Sequence, residues 1–302
     1  MQKTFYSNGK LLLSGEYAIL DGAVGLAIPT KYGQTLQVTE TSLGKLEWSS
    51  FDEQGSIWFE GIYALDGFKE ISTSNKTISS TLIQLLSEAK SQKPAFLNNA
   101  SGVKVETKLS FPRNWGLGTS STLINNIAQW AQVDAYQLLW NAFGGSGYDI
   151  ACAKHNSPIL YALESGVPIV EKVSFNPPFK DSIYFVHLNQ KQSSKKAIAA
   201  YRKQNFDKKW LISRISAITK RMVDTSTVTE FESLLTEHEE ILSEVLGLPP
   251  VKIKLFQDYP GAIKSLGAWG GDFVMVTGSE ENMDYFKSHG YSTIIPFSEM
   301  TL

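Results

Sequence analysis

The sequence predicts a mixed α+β protein in two parts, and three observations carry that expectation. Alternating residues around Val103 and Val105 lead into two closely spaced glycines, Gly116 and Gly118, and then into a helical pattern of Leu123, Ile127 and Trp130. The order there is strand, glycine turn, helix. Earlier, Leu36 and Val38 alternate with Thr35, Gln37 and Thr39, the pattern of a sheet with one wet face. Later, beyond Pro168, Pro177 and Pro178, periodicity is lost and then resumes as strand, helices, two strands, helix, strand. A break near residue 175 divides the chain into 1–175 and 176–302.

Composition narrows the classes of function. The chain has 302 residues, 42% hydrophobic and 19% charged, enough for one large or two medium cores. With 28 basic and 30 acidic side chains the net charge is −2, so nothing electrostatic calls for a nucleic-acid or membrane-surface partner. A small molecule is the expected partner; the oligomeric state is not legible. Cys152 is the single cysteine, which excludes an intrachain disulfide, and His155, His187, His238 and His289 lack metal-ligand spacing. A reducing cytoplasm is the expected location. The triplet Leu11, Leu12, Leu13 is too short for a signal-peptide core, and no run of about 18 apolar residues occurs.

Element by element, residues 4–39 read as strands with glycine punctuation, followed by short β segments at 46–48 and 57–63. Ile78, Leu82, Leu85, Leu86 and Ala89 have helical spacing, with Ser74 or Asn75 as cap. After the glycine turn and its helix come a helix over 134–143, a short helix opened by Ser146 to Asp149, and a strand at 159–163. The second part reads as a strand at 183–188 and a helix at 193–201, then two longer helices through Leu211 to Met222 and Val228 to Val245. It closes with strands at 262–266 and 273–277, a helix near 280–288, and a strand at 291–296.

The turn itself reads Pro112-Arg113-Asn114-Trp115-Gly116-Leu117-Gly118-Thr119-Ser120-Ser121-Thr122. Glycines let backbone amides crowd together, hydroxyls fall in the first helical turn, and the positive end of the helix dipole faces out, so an anionic phosphate is the natural guest. It is no Walker loop, since G-x-x-x-x-G-K-[ST] is absent. A plain turn with a Thr or Ser N-cap is the competing reading.

Three further stretches agree with the phosphate reading. They are Gly9-Lys10-Leu11-Leu12-Leu13-Ser14-Gly15-Glu16-Tyr17, Gly145-Ser146-Gly147-Tyr148-Asp149-Ile150-Ala151, and Lys264-Ser265-Leu266-Gly267-Ala268-Trp269-Gly270-Gly271-Asp272. In this order and spacing the four stretches resemble the GHMP kinase superfamily, most closely its mevalonate kinase and phosphomevalonate kinase branches. The resemblance implies a two-domain fold, with an N-terminal ribosomal-protein-like α/β domain and a C-terminal ferredoxin-like domain, matching the strand and helix order read after 175. It also implies ATP and Mg2+ as cofactors.

Carried over by resemblance, Gly116, Leu117, Gly118, Thr119 and Ser120 would hold the nucleotide, with Ser120 a metal contact. Asp149 would be the base toward the acceptor hydroxyl, and Lys10 its partner on the transferred phosphate. An aspartate beside a lysine stays ionised and the lysine offsets transition-state charge, so the pair is chemically coherent. Plain alternatives are a helix N-cap for Asp149 and a solvated strand residue for Lys10. Glu16, Ser146, Gly147, Ser194 and Gly270 would contact the acceptor. Asp272 is read equally as a site residue or as part of a tight hairpin.

Departures from the family pattern are Asn8 in place of proline, Trp269 in place of glycine, and no acid over 137–143 to match the mevalonate kinases' second metal ligand. Lys191, Lys195, Lys196, Arg202 and Lys203 form a basic patch suited to an acceptor that already carries phosphate, or a solvated helix face. Cys152 and His155 read as packing residues. The expected function is ATP-dependent phosphorylation of phosphomevalonate or mevalonate in isoprenoid precursor synthesis. Another acceptor such as a sugar or homoserine, or a non-catalytic nucleotide or metabolite sensor, are the alternatives.

Overall fold

The computed structural model describes residues 2–302, the side chain of Ser194 excepted. The fold is mixed α+β, as the sequence predicts. Two compact units interleave along the chain: one comprises the segments up to Gly9, Tyr32–Arg113 and Leu117–Lys154, the other Lys10–Lys31, Asn114–Gly116 and His155–Leu302. The break expected near residue 175 falls within the His155–Leu302 segment of the second unit. Strands β1 (Gln2–Ser14) and β2 (Gly25–Glu40) pair with one another and each supplies both units.

In the first unit, β3 (Lys45–Phe51), β4 (Ile57–Ala64), β5 (Glu70–Thr73) and β6 (Val103–Leu109) join β2 in the order β5-β4-β3-β6-β2. The alternation seen in the sequence orients β6: Val103, Val105, Thr107 and Leu109 are buried while Lys104 and Lys108 are exposed. Helices α1 (Lys76–Gln92), α2 (Thr119–Ala131) and α3 (Ala135–Ala142) bring Leu82, Leu85, Leu86, Ile124, Ile127 and Leu138 to a core shared with Leu36, Val38, Trp48 and Val105. Truncating one such buried leucine to alanine costs about 2–5 kcal/mol. Asn75 is the cap of α1, accepting from the amides of Thr77 and Ile78. The unit ends with α4 (Tyr148–Lys154), where Cys152 is buried.

In the second unit the opening residues of β2 pair with β7 (Ile159–Glu164), which pairs with β8 (Val167–Lys172). A separate antiparallel sheet takes the order β10-β11-β9-β12, built from β9 (Ile183–His187), β10 (Ile263–Ser265), β11 (Phe273–Thr277) and β12 (Ile294–Pro296). Between β9 and β10 lie α5 (Ser194–Tyr201), α6 (Lys208–Asp224), α7 (Val228–Leu246) and α8 (Val251–Leu255). The chain finishes with α9 (Met283–Ser288), β12 and α10 (Phe297–Met300). Helix α7 starts at a Thr227 cap and stops at Gly247, whose φ of +65° suits glycine in a left-handed C-terminal turn. Val186, Phe256, Tyr259, Val274 and Phe286 centre a second core. Among the described residues no helix is long and apolar enough to cross a membrane.

Candidate active site

Helix α2 begins in an unusual way. Its N-cap is Gly118 at φ +91°, with no side-chain hydrogen bond onto the first-turn amides. Each of the other helices of eight residues or more has such a cap, from Asn75, Asp134, Ser193, Asp207 or Thr227. The Thr or Ser cap offered as the plain alternative is therefore not formed. Two hydroxyls of the first turn point back into the protein: Ser121 Oγ donates to Gly118 O at 2.8 Å, and Thr122 Oγ1 donates to Gln34 Oε1 at 2.8 Å. Ser120 remains exposed and Thr119 half-buried. Uncapped amides at a dipole's positive end, with an exposed hydroxyl among them, suit an anionic oxygen.

Gly116 stands at φ +68°, a conformation glycine adopts without strain, and belongs to the second unit together with Asn114 and Trp115. That unit fixes the start of the turn. A Cβ on Gly116 would collide with the Asp272 carboxyl group. His187 Nε2 lies 3.1 Å from Asn114 O; since His187 Nδ1 accepts from the Asn189 amide at 3.3 Å, Nε2 carries the hydrogen and donates to that carbonyl. Trp115 meets Phe273 edge to face with ring centroids 5.6 Å apart.

Asp272 itself has φ +53°, and its backbone is pinned on both sides: its amide donates to Gln190 O at 2.7 Å and its carbonyl accepts from Leu188 N at 2.8 Å. Its Oδ1 is buried with no hydrogen-bond partner. Burial pushes the Asp272 carboxyl above the ordinary range, while the Lys10 and Lys191 charges oppose the shift. Lys10, on β1, thus acts on Asp272, and it also acts on Glu16.

Glu16 lies in a buried polar cluster. It is 3% exposed, and Lys264 Nζ, wholly buried, donates to its Oε1 at 2.6 Å and to Ser265 O at 2.9 Å. Next to it on α7 are His238 and Glu239. The Gly15 amide donates to His238 Nε2 at 3.0 Å, so that ring is neutral with its hydrogen on Nδ1. Burial and the neighbouring Lys264 hold His238 well below its usual value. Burial pushes Glu239 up to about 8, and its Oε2 accepts from Ser265 Oγ at 3.2 Å. Burial also raises Glu16, against Lys264. Of the four groups, Glu16 and Lys264 form the ion pair and the other two stay neutral near pH 7.

The residues singled out from sequence fall in both units. Leu117, Gly118, Thr119, Ser120, Ser146, Gly147 and Asp149 are in the first; Lys10, Glu16, Gly116 and Gly270 are in the second. Leu117 is fully buried, a packing position that sets the turn rather than a side chain facing solvent. Asp149 is half-buried in the first turn of α4, after Gly147 at φ +93°. The Ser194 side chain lies outside the described residues. In the basic patch Lys191, Lys195, Lys196 and Lys203 are exposed, whereas Arg202 bonds Asp21 at 2.7 Å alongside Lys208 at 3.0 Å. The partners missed in the sequence are His238, Glu239 and Lys264. The one legible signal was a lysine inside the short apolar run Ala262 to Leu266.

Among the described residues no group of three or more His, Cys, Asp or Glu could hold a metal ion. An exposed oxygen beside the glycine turn is the Ser120 hydroxyl, which fits a cation that arrives already bound to phosphate oxygens.

No family model matches the sequence, and a sequence comparison with curated proteins finds no match. Solved structures share its architecture: the chain has the fold of the GHMP kinases. It resembles Methanococcus jannaschii mevalonate kinase at a TM-score of 0.73, with 14% identity over 98% of this chain and 97% of that one. It resembles Streptococcus pneumoniae phosphomevalonate kinase, solved in complex with phosphomevalonate and AMPPNP, at 0.71, with 12% identity over 97% and 99%. Lactococcus lactis galactokinase complexed with galactose is similar at 0.69, with 14% identity over 100% and 93%.

Proposed function

We propose that the chain is an ATP-dependent kinase of small molecules, transferring the γ-phosphoryl group to phosphomevalonate or mevalonate in isoprenoid precursor synthesis. The observation that carries the proposal is the uncapped start of α2 behind the glycine turn, in a fold whose similar structures include one holding AMPPNP. Residues 116–120 would bind the phosphates through backbone amides. Ser120 would face the Mg2+ that accompanies ATP, an ion that offsets charge on the phosphates. Lys10 would place positive charge at the transferred group, and Asp149 would orient or deprotonate the acceptor hydroxyl.

Ser146, Gly147, Ser194 and Gly270 are proposed to meet the acceptor. Glu16 is proposed to act on it at one remove, since its carboxylate is held by Lys264. The exposed lysines 191, 195 and 196 support an acceptor bearing phosphate. Within the same proposal the chain divides into a nucleotide-binding domain over 1–175 and a ferredoxin-like domain over 176–302. The four-stranded order β10-β11-β9-β12 supports the second assignment. The single buried cysteine is compatible with a cytoplasmic location. A sugar acceptor is the second reading, favoured by the likeness to a galactose-bound structure.

Asp149→Ala tests the assignment: turnover should fall by about 10²-fold or more while ADP affinity stays within about twofold. Unchanged turnover removes Asp149 from the chemistry.

A further inference from the structure

The family-like glycine loop 267–272 carries a tryptophan in its middle, and the structure shows what that residue is tied to. The Trp269 amide donates to Tyr17 Oη at 2.9 Å, and its indole Nε1 donates to Pro249 O at 3.1 Å. Tyr17 is 6% exposed, and its backbone has φ +60° and ψ −49°, far from where a tyrosine rests unaided. Its neighbour Glu16 bonds Lys264. Two adjacent residues of the N-terminal stretch therefore grip two points five positions apart, Lys264 where the loop is entered and Trp269 at its middle. At the far end of the loop Asp272 abuts Gly116.

We infer that Tyr17 and Trp269 form a latch that holds loop 267–272 preformed, so that both are positioning residues for the Asp272–Gly116 contact at the glycine turn. The inference rests on the kinase reading of that turn. A loop with glycine at 269 could keep the amide's bond to Tyr17 but would have no indole anchor; here the indole adds a second tie and the side chain narrows the backbone freedom of that position. Preorganisation of a binding wall raises affinity by removing the cost of ordering it. The strain at Tyr17 is explained if the residue is held where its hydroxyl can reach the Trp269 amide.

The test uses the full chain with two variants. Tyr17→Phe keeps the ring against Tyr201 and removes only the hydroxyl that accepts from Trp269; Trp269→Phe keeps the amide and an aromatic ring and removes the indole donor to Pro249. Amide hydrogen exchange is followed on peptides covering 264–272 and, as control, β9, and ADP affinity is titrated with Mg2+ present. Y17F should speed exchange in 264–272 about tenfold with β9 unchanged, and weaken ADP about fivefold. W269F should act in the same direction more weakly. Exchange in 264–272 equal to the wild type in both variants overturns the latch. Faster exchange with unaltered ADP affinity overturns the positioning role. A wild-type chain that binds no ADP overturns the kinase reading instead, and exchange in the free protein still decides the latch.

Discussion

Lys264 and Glu16, 248 positions apart, meet through Nζ and Oε1 at 2.6 Å with both side chains out of solvent. The bond joins the strand that leads into loop 267–272 to the N-terminal stretch that carries Lys10. A buried ion pair of this kind stabilises little net of desolvation, but removing one partner strands the other.

Lys264→Met should therefore destabilise the protein by about 3–5 kcal/mol in urea unfolding. The double variant Glu16→Gln with Lys264→Met should recover a large part of that loss. If the double variant is as unstable as the sum of the singles, the pair is not coupled in the way the geometry requires.

The pH dependence of stability follows from the same cluster. Glu239, raised from 4.5 to about 8, keeps its proton in the folded state where the unfolded chain has lost it, so stability declines as pH climbs through that window. Glu16, also raised, has the same sign. His238 has its folded value held well below 6.5, so below 6.5 the unfolded chain takes up a proton the folded one refuses, and stability declines as pH falls. The two trends oppose each other below pH 6.5 and only the carboxyl trend survives above it. Unfolding free energy should drop between pH 6.5 and 8 as folded Glu239 keeps its proton, by up to about 1.4 kcal/mol per pH unit. Glu239→Gln should flatten that slope. A slope unaltered by the substitution would place the titrating group elsewhere.

Gly116→Ala should cost about 1–3 kcal/mol for its left-handed backbone, plus the collision with Asp272. In an Asp272→Ala background only the backbone part should remain, so a double-mutant cycle should show coupling of about 1 kcal/mol or more. Simple additivity would mean that the carboxylate does not press on the turn.

Elements with strong period came through: α1 with its Asn75 cap, β6 and α2 around the glycine turn, and β11 at Phe273–Thr277. Strand β8 was read as part of a boundary, because its residues at an open edge are mostly exposed and show no apolar face. Strand β5 is four residues long, too short to show a period. Glycines 116 and 118 signalled themselves through composition. The Glu16, Lys264, His238 and Glu239 cluster did not, since a pairing across such a length of chain leaves no local pattern, and His238 and Glu239 sit at buried positions of an otherwise ordinary amphipathic helix.

Asp21 offers a check on the basic patch. It holds Arg202 and Lys208, and Tyr201 Oη donates to it at 2.6 Å, so Asp21→Asn should release two cations. If those cations compete for an acceptor phosphate, KM for a phosphorylated acceptor should fall by about two- to fivefold with kcat little changed. An unchanged KM would leave the patch as a solvated face.

The central claim is that a phosphoryl group is transferred from ATP to a small acceptor. The most direct measurement is mass-spectrometric detection of phosphorylated product from ATP, Mg2+ and, in parallel, mevalonate, phosphomevalonate, galactose and homoserine. The account predicts product from phosphomevalonate or mevalonate that disappears with Asp149→Ala. ATP binding without product from any acceptor would contradict it and leave a nucleotide-binding protein of this fold that does no transfer.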